Sequence, residues 1–215
     1  MSVQLLSDYQ RSKDDNTDDS IFYSQPRFVH HLDEAFRQRL TALYREKIKS
    51  SCIILDLMSS WVSHLPKEIK YKKVIGHGLN LIELEKNKRL DSHWVQDLNS
   101  NQNLPLDDDS IDVCLMVAAW QYLQYPENLA LELRRVIRDQ GQLIISFSNR
   151  AFWSKAPKVW TEGSDFDHIN YIKNVLSAQG WPEPEYIYES TKREGALSFL
   201  MGHGDPFFSV LASNI

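Results

Sequence analysis

The sequence predicts an α/β domain in which helices cover both faces of a largely parallel sheet. From Cys52 to Phe147, apolar segments of strand length alternate with helical segments, a pattern typical of buried parallel strands. After Asn149 the pattern changes to one helix and two strand-like segments around a turn, which predicts a terminal antiparallel hairpin.

The chain divides into three predicted parts. Residues 1–20 carry five acidic residues and few apolar anchors, so we expect a flexible acidic tail there; a lid over a ligand is the alternative. Residues 21–50 are predicted to form an N-terminal helical cap, because apolar residues recur from Leu32 to Tyr44 at three- and four-residue steps. Residues 51–215 form the main domain.

The elements of the main domain are predicted in order from these patterns. The first half should run strand, helix, strand, helix, with Trp61–Leu65 in the first helical segment. Pro126 begins a later helix that we expect to reach Arg138 and to stop before Gly141. Another helix should end at Gly180. The predicted strands are 52–57, 73–76, 93–97, 111–118, 142–147, 185–190 and 206–212, and the remaining predicted helices are 80–90 and 165–179.

The composition excludes several classes of protein. All eight glycines lie at Gly76 or later, so the first third of the chain has no Gly-rich phosphate loop. The net charge of −5 and the absence of a basic cluster argue against non-specific binding to nucleic acids or anionic membranes, and leave a specific RNA substrate open. Cys52 and Cys114 lack C-x-x-C spacing, so no metal site is expected. We expect a cytoplasmic protein, because no apolar segment is long enough to span a bilayer and no signal peptide precedes the domain.

Three motifs in the middle of the chain resemble those of class I S-adenosylmethionine-dependent methyltransferases of the type 11 kind. The most specific runs from Asp97 through Leu104-Pro105-Leu106 to Asp112, similar to the family's D-x(n)-LP-(F/L)-x-D-x-S-(F/I)-D stretch. The others are the strand-end pair Asp56-Leu57 and the helix–Gly–strand unit from Leu133, which resembles E-x-x-R-V-L-x-P-G-G-x-L. The first motif, DLMSSW, is that of an atypical subgroup.

This resemblance implies a Rossmann-like three-layer sandwich with a seven-stranded sheet, and S-adenosylmethionine as the cofactor. Ligands of such sheets bind at the carboxyl ends of the strands, where the strand order reverses. The implied cofactor residues follow those ends, with one more from the N-terminal part: Asp56, Leu57, Met58, Ser59, Ser60, Gly76, His77, Gly78, Leu79, Asn80, Asp97, Leu98, Asn99, Ala119, Trp120 and Arg27.

Two departures from the family pattern affect this site. Its first loop is normally D-x-G-x-G-x-G, whereas Asp56 is followed here by Leu-Met-Ser-Ser-Trp. The second strand normally ends in an acidic residue that binds the ribose, and Gly78 occupies that position. Either Asn80 or His77 contacts the ribose and the two serines hold the amino-acid end, or the cofactor site has been lost.

Individual residues have two interpretations each. Asp56 would lie near the amino-acid part of the cofactor or cap a helix, and Asp97 would accept the adenine amine or begin a turn. His77 would be a base, or an ordinary loop residue. Asp112 is expected to be structural. Trp120 would offer an aromatic face to the sulfonium or pack in the core.

The predicted function is methyl transfer from S-adenosylmethionine to a small-molecule acceptor, with no catalytic residue assigned. The alternative is a non-catalytic binding or regulatory module of the same fold. A nicotinamide dehydrogenase is disfavoured, because its pyrophosphate needs the Gly-rich turn that is missing here. The sequence does not determine the oligomeric state.

Overall fold

The computed structural model describes residues 1–190 and 204–215, and its seven strands form one sheet. The strands are β1 Ile53–Leu57, β2 Lys73–Gly78, β3 Ser92–Val95, β4 Ile111–Val117, β5 Ile137–Phe147, β6 Glu185–Glu189 and β7 Phe207–Ser213. Their order is β3-β2-β1-β4-β5-β7-β6, with β1 to β5 parallel and β7 antiparallel to both β5 and β6. The predicted fold class is confirmed. The predicted turn of the hairpin lies largely outside the described residues.

Seven α-helices accompany the sheet in the described part of the chain. They are α1 Asp8–Arg11, α2 Asp19–Phe22, α3 Glu34–Lys47, α4 Leu81–Lys86, α5 Pro126–Val136, α6 Lys158–Thr161 and α7 Asp165–Ala178. The apolar face of α3 packs on one side of the sheet, and α5 and α7 pack on the other. This gives the three layers. No helix in the described ranges is both long and apolar enough to cross a membrane.

Side-chain alternation in the central strands decides which residues face α3. Ile54 of β1 and Leu115 of β4 belong to the apolar cluster that contains α3, whereas Leu55 and Met116 belong to the cluster that contains α5 and α7. Because successive side chains of a strand point to opposite faces, Asp56 lies on the α3 side of the sheet. Its carboxyl therefore sits beneath that helix, at the carboxyl end of β1.

The segment between β1 and β2 contains no helix, so the helical prediction around Trp61–Leu65 is wrong. Its backbone carbonyls bind side chains from other elements instead of forming helical hydrogen bonds. Asn87 Nδ2 donates to the Ser60 carbonyl at 3.0 Å, and Thr41 Oγ1 donates to the His64 carbonyl at 2.9 Å. The predicted helix after β2 is also shorter than expected and ends at Lys86.

The α5 helix ends at Val136, earlier than predicted, and β5 begins at the next residue. Ile137 pairs with Ile111 of β4, and the pairing then shifts its register before Gln142. Gly141 lies within this irregular stretch, where an added Cβ would be 2.5 Å from Ile137 Cγ2 and 2.8 Å from the Arg138 carbonyl oxygen. The glycine therefore permits a close turn inside β5 and does not terminate the helix.

Residues 1–20 do not project from the domain as the sequence predicts. Arg11 is buried and forms an ion pair with Glu127 at 2.7 Å, and Glu127 also accepts the backbone N–H groups of Leu5 and Leu6. Lys13 pairs with Asp19 at 2.7 Å. At least one of the acidic residues that suggested a solvated tail, Asp19, therefore forms an ion pair within the segment. We call residues 1–31 the N-terminal strap.

Candidate functional site

A cavity of about 550 Å³ lies at the carboxyl ends of β1 to β5, beneath the N-terminal strap. The strand order reverses between the neighbouring strands β1 and β4, and open α/β sheets bind their ligands at such a point. Most of the predicted site residues line this cavity: Arg27, Asp56, Met58, Ser59, Ser60, His77, Gly78, Leu79, Asn80, Asp97, Leu98, Asn99 and Ala119.

Three predicted site residues do not line it. Leu57 and Trp120 are fully enclosed in the apolar core that contains α5 and α7, so neither presents an aromatic or apolar face to a ligand. Gly76 lies against the Leu90 side chain, which would be 2.3 Å from an added Cβ. Strand alternation explains Leu57, because it points away from the α3 side.

The loop after β1 adopts a glycine-like conformation without glycine. Met58 has φ 54°, in the left-handed region that non-glycine residues seldom occupy. Ala118, at the end of neighbouring β4, has φ 49°. Both residues line the cavity. Such backbone outliers concentrate at functional sites, where the surrounding structure imposes them.

Asp56 is buried and bound to its own loop. Its Oδ2 accepts the hydroxyls of Ser59, at 2.8 Å, and of Ser63. Burial raises the pKa of Asp56 to about 6, although both serine hydrogen bonds oppose that increase. Ser63 also lines the cavity, although the sequence motifs do not include it. It lies in an irregular loop, so neither helical nor strand spacing could have placed it near Asp56.

His77 connects this loop to the next strand and is held neutral. Its Nδ1 accepts the Met58 N–H at 3.2 Å, so its Nε2 carries the proton and donates to the Gln96 carbonyl at 2.9 Å. Burial lowers the pKa of His77 to about 4. Both ring nitrogens are used, so the geometry favours the structural interpretation of His77 over a general base.

Asn80 and Glu83 attach the first turn of α4 to the N-terminal strap. Asn80 caps α4 by accepting the Glu83 N–H at 3.1 Å, and its amide donates to the Tyr23 carbonyl at 2.8 Å. The buried Glu83 carboxylate accepts the Arg27 N–H at 2.6 Å and the Ser60 hydroxyl at 2.5 Å. Glu83 is a carboxylate facing the cavity beyond β2, and the Asn-x-x-Glu capping spacing could have indicated it.

The turn after β3 places Asp97 and Leu98 at the cavity wall. Asp97 Oδ1 accepts the Asn99 N–H at 2.8 Å, and its Oδ2 accepts the Ser100 hydroxyl at 2.7 Å. Leu98 is buried. Asn99 donates to Asp19 of the strap at 3.1 Å and to the Tyr122 carbonyl at 3.0 Å. Its amide therefore links the strap to the residues that follow β4.

Aromatic side chains border the cavity after β4 and β5. Tyr122 accepts the Phe152 N–H at 3.0 Å through its hydroxyl, and the two rings stack with centroids 6.1 Å apart. Arg27 of the strap lies over the Phe22 ring at 4.5 Å and the Phe152 ring at 5.6 Å. Tyr122 and Phe152 therefore provide the aromatic wall that the sequence assigned to Trp120. In the described ranges, no three His, Cys, Asp or Glu side chains cluster as a metal site would require.

The comparisons agree with this geometry. A family model described as a methyltransferase domain matches residues 60–145. A chain of the complex containing the Haloferax volcanii Trm112 methyltransferase activator shares 14% identity, with 85% of this chain and 90% of that chain covered and a TM-score of 0.62. A SAM-dependent methyltransferase from Archaeoglobus fulgidus shares 14% identity, with 82% and 94% covered and a TM-score of 0.58. Residues 60–145 thus resemble a methyltransferase domain, and the chain shares the fold of these methyltransferases.

This fold does not by itself fix the reaction. The cyclase SpnF is also similar, with 14% identity, 91% of each chain covered and a TM-score of 0.58. No curated protein matches this chain. Compared with the class I methyltransferase pattern, this chain has a left-handed Met58 where the first-loop glycines would be, and its first carboxylate after β2 is Glu83 in α4. Function must therefore be argued from the site.

Proposed function

We propose that the chain binds S-adenosylmethionine in the cavity and transfers its methyl group to a small-molecule acceptor. The observation that carries the proposal is the cavity at the β1–β4 reversal, bordered by two left-handed non-glycine residues. Its volume is in the range of cofactor and small-ligand sites, roughly 300–1,000 Å³. The strap covers the cavity, which favours a small acceptor over a macromolecular one.

The residues present suit the parts of this cofactor. Asp97 and the Leu98 N–H would hold the adenine, as the family resemblance implies. Glu83 would accept the ribose hydroxyls, because a carboxylate has about four lone-pair sites and the Arg27 N–H and the Ser60 hydroxyl use two of them. Arg27 of the strap, which has no ion pair in the described ranges, would bind the cofactor carboxylate.

The protein's contribution would be orientation and exclusion of water. When bound, the cofactor supplies an electrophilic methyl group, which the acceptor atom takes as the carbon–sulfur bond breaks and its electron pair stays on sulfur. Positioning two reactants in this way lowers a barrier by roughly 7–11 kcal/mol without a dedicated base. The Tyr122–Phe152 wall would shield the developing bond from solvent.

A second candidate is a binding module without methyl transfer. One observation favours it: Ser59 and Ser60 both donate their hydroxyl hydrogens within the site, to Asp56 and Glu83, so neither donates to the carboxylate of a cofactor. This candidate predicts binding of the demethylated product without formation of that product from S-adenosylmethionine.

Calorimetry with S-adenosylhomocysteine tests the proposal. We expect micromolar binding to the wild type, and a loss of about tenfold or more in the Asp97→Ala variant, equivalent to about 1.4 kcal/mol. The exposed Asp107→Ala variant in the following loop is the matched control and should bind like the wild type. Absence of binding at millimolar ligand would exclude the proposal.

A further inference from the structure

One end of the cavity lies between α3 and the sheet, and its polar groups have no role in the proposed cofactor contacts. We call it the α3 subsite. Arg37 and Tyr44 are seven residues apart on α3, so they share a helix face, and the His64 loop is bonded to the same helix through Thr41. The subsite is formed by the cavity-lining residues Arg37, Tyr44, Asp56, Ser63, His64 and Leu115.

Tyr44 supplies an unpartnered hydroxyl. Its side chain is fully buried, with 0% exposure, and its hydroxyl has no hydrogen-bond partner in the described part of the chain. Burial and the neighbouring Asp56 raise the pKa of Tyr44 well above its ordinary value, so the hydroxyl keeps its proton. A buried hydroxyl without a partner is uncommon, and one that lines a cavity is available to a bound ligand.

Arg37 supplies the positive charge of the subsite. Its Nε donates to the carbonyls of Leu32 and Asp33 at 3.2 and 3.3 Å, and no carboxylate of the described residues lies within ion-pair distance. Other arginines of α3 do have such partners: Arg39 pairs with Glu189, and Arg45 pairs with Glu68. Arg37 is therefore the arginine of this helix that faces the cavity with unused donors.

His64 adds a neutral ring to the same wall. Burial lowers the pKa of His64 to about 4, and the positive charge of Arg37 contributes to that decrease. The imidazole and the Arg37 guanidinium are therefore close enough to interact. The neutral ring carries one N–H donor, and it forms no hydrogen bond with another residue of the described ranges.

One acidic group faces this set of donors. Asp56 lines the cavity beside Tyr44, and its Oδ2 is occupied by the Ser59 and Ser63 hydroxyls. The other carboxylates at the cavity are bonded elsewhere: Asp19 to Lys13, Glu83 to Ser60 and Asp97 to Ser100. None of them forms an ion pair with Arg37.

We infer that the α3 subsite binds an anionic oxygen group of the methyl acceptor, a carboxylate or a phosphate monoester, through Arg37, Tyr44 and His64. All three offer hydrogen-bond donors, and an arginine fork suits planar oxyanions. The inference rests on the proposed function only for the statement that the ligand is the methyl acceptor. Anion binding itself does not depend on the cofactor.

Titration of the cofactor-free protein at about pH 6 with benzoate, phenyl phosphate and neutral benzamide tests the inference, with the His64 ring signals followed by NMR. We expect saturable shifts with at least one of the two anions, and an affinity for it about tenfold or more above that for benzamide. The better anion identifies the acceptor group. Equal binding of benzamide, or no saturable binding of either anion, would overturn the inference.

Variants locate the anion. Arg37→Gln should weaken anion binding about tenfold or more, and Tyr44→Phe, which removes an unpartnered hydroxyl without removing the ring, should weaken it about threefold or more. Arg45→Gln, on the same helix but exposed, should change it less than about twofold. Unchanged binding in Arg37→Gln would contradict the assignment.

A cofactor arm separates this inference from the proposed function. S-adenosylhomocysteine carries a carboxylate and 5′-methylthioadenosine does not. Arg37→Gln should leave the affinities for both unchanged; a selective loss of S-adenosylhomocysteine would assign Arg37 to the cofactor and overturn the inference. If neither compound binds the wild type, the proposed function fails, while the anion titrations still decide whether the subsite exists.

Discussion

The Ser59 carbonyl oxygen occupies the space that a side chain at Gly78 would need, since a Cβ built on Gly78 would lie 2.5 Å from it. The two backbones are held together by hydrogen bonds from the loop after β1: the Ser59 N–H donates to the His77 carbonyl at 2.6 Å, and the Met58 N–H donates to the His77 ring. The first loop has no glycine of its own, and Gly78 at the end of β2 is the glycine that lets the two backbones lie this close.

This contact predicts a difference between two glycines of one strand. Gly78→Ala should displace the Ser59 backbone, destabilise the domain by about 1–3 kcal/mol and weaken S-adenosylhomocysteine binding. Gly76→Ala meets the Leu90 side chain, which can rotate away, and should leave binding unchanged. Denaturant unfolding and calorimetry on both variants measure this. Equal losses of stability and affinity in the two variants would show that the loop after β1 does not depend on the close contact between Ser59 and Gly78.

The buried Asp56 carboxyl predicts a pH-dependent gain in stability on its removal. Because its pKa is about 6 in the folded chain and 3.8 ordinarily, the folded state holds the proton more tightly. Its ionisation therefore destabilises the fold progressively as pH rises from about 4 to 6, by up to roughly 3 kcal/mol. Asp56→Asn should gain stability relative to the wild type across that range. A difference in unfolding free energy that does not change with pH would contradict the assignment.

His77 predicts the opposite dependence. Its folded pKa of about 4 lies below the ordinary 6.5, so the unfolded chain binds the proton more tightly between these values. The stability that the neutral ring contributes is present above about pH 6.5 and is lost as pH falls towards 4. Nitrogen NMR of the ring should show Nδ1 unprotonated down to about pH 4. Titration near neutrality would favour a general base instead.

The N-terminal strap depends on the Arg11–Glu127 pair. Arg11→Met leaves a fully buried carboxylate without its cation and should destabilise the chain by about 3–5 kcal/mol. Arg45→Met breaks an exposed pair on α3 and should cost far less. Thermal unfolding of both variants provides the measurement. Similar small losses would mean that the strap is not fixed by this pair.

The sheet could be predicted from the sequence because buried parallel strands appear as apolar segments between helices, as at Ile111–Val117. Long-range polar contacts could not. Nothing in residues 1–20 indicates that Arg11 will meet Glu127, and an acidic segment looks solvated until its counter-ions are placed. The unpartnered Tyr44 hydroxyl could not be predicted either. Helical spacing identifies Tyr44 as a core residue but does not show that the core opens into a cavity there.

A crystal structure with S-adenosylhomocysteine would show whether the cavity at the β1–β4 reversal holds the cofactor. We expect the adenine beside Asp97 and Leu98, the ribose hydroxyls on Glu83 and the carboxylate near Arg27. A ligand bound with its adenine elsewhere, or a cavity that stays empty at saturating ligand, would contradict it.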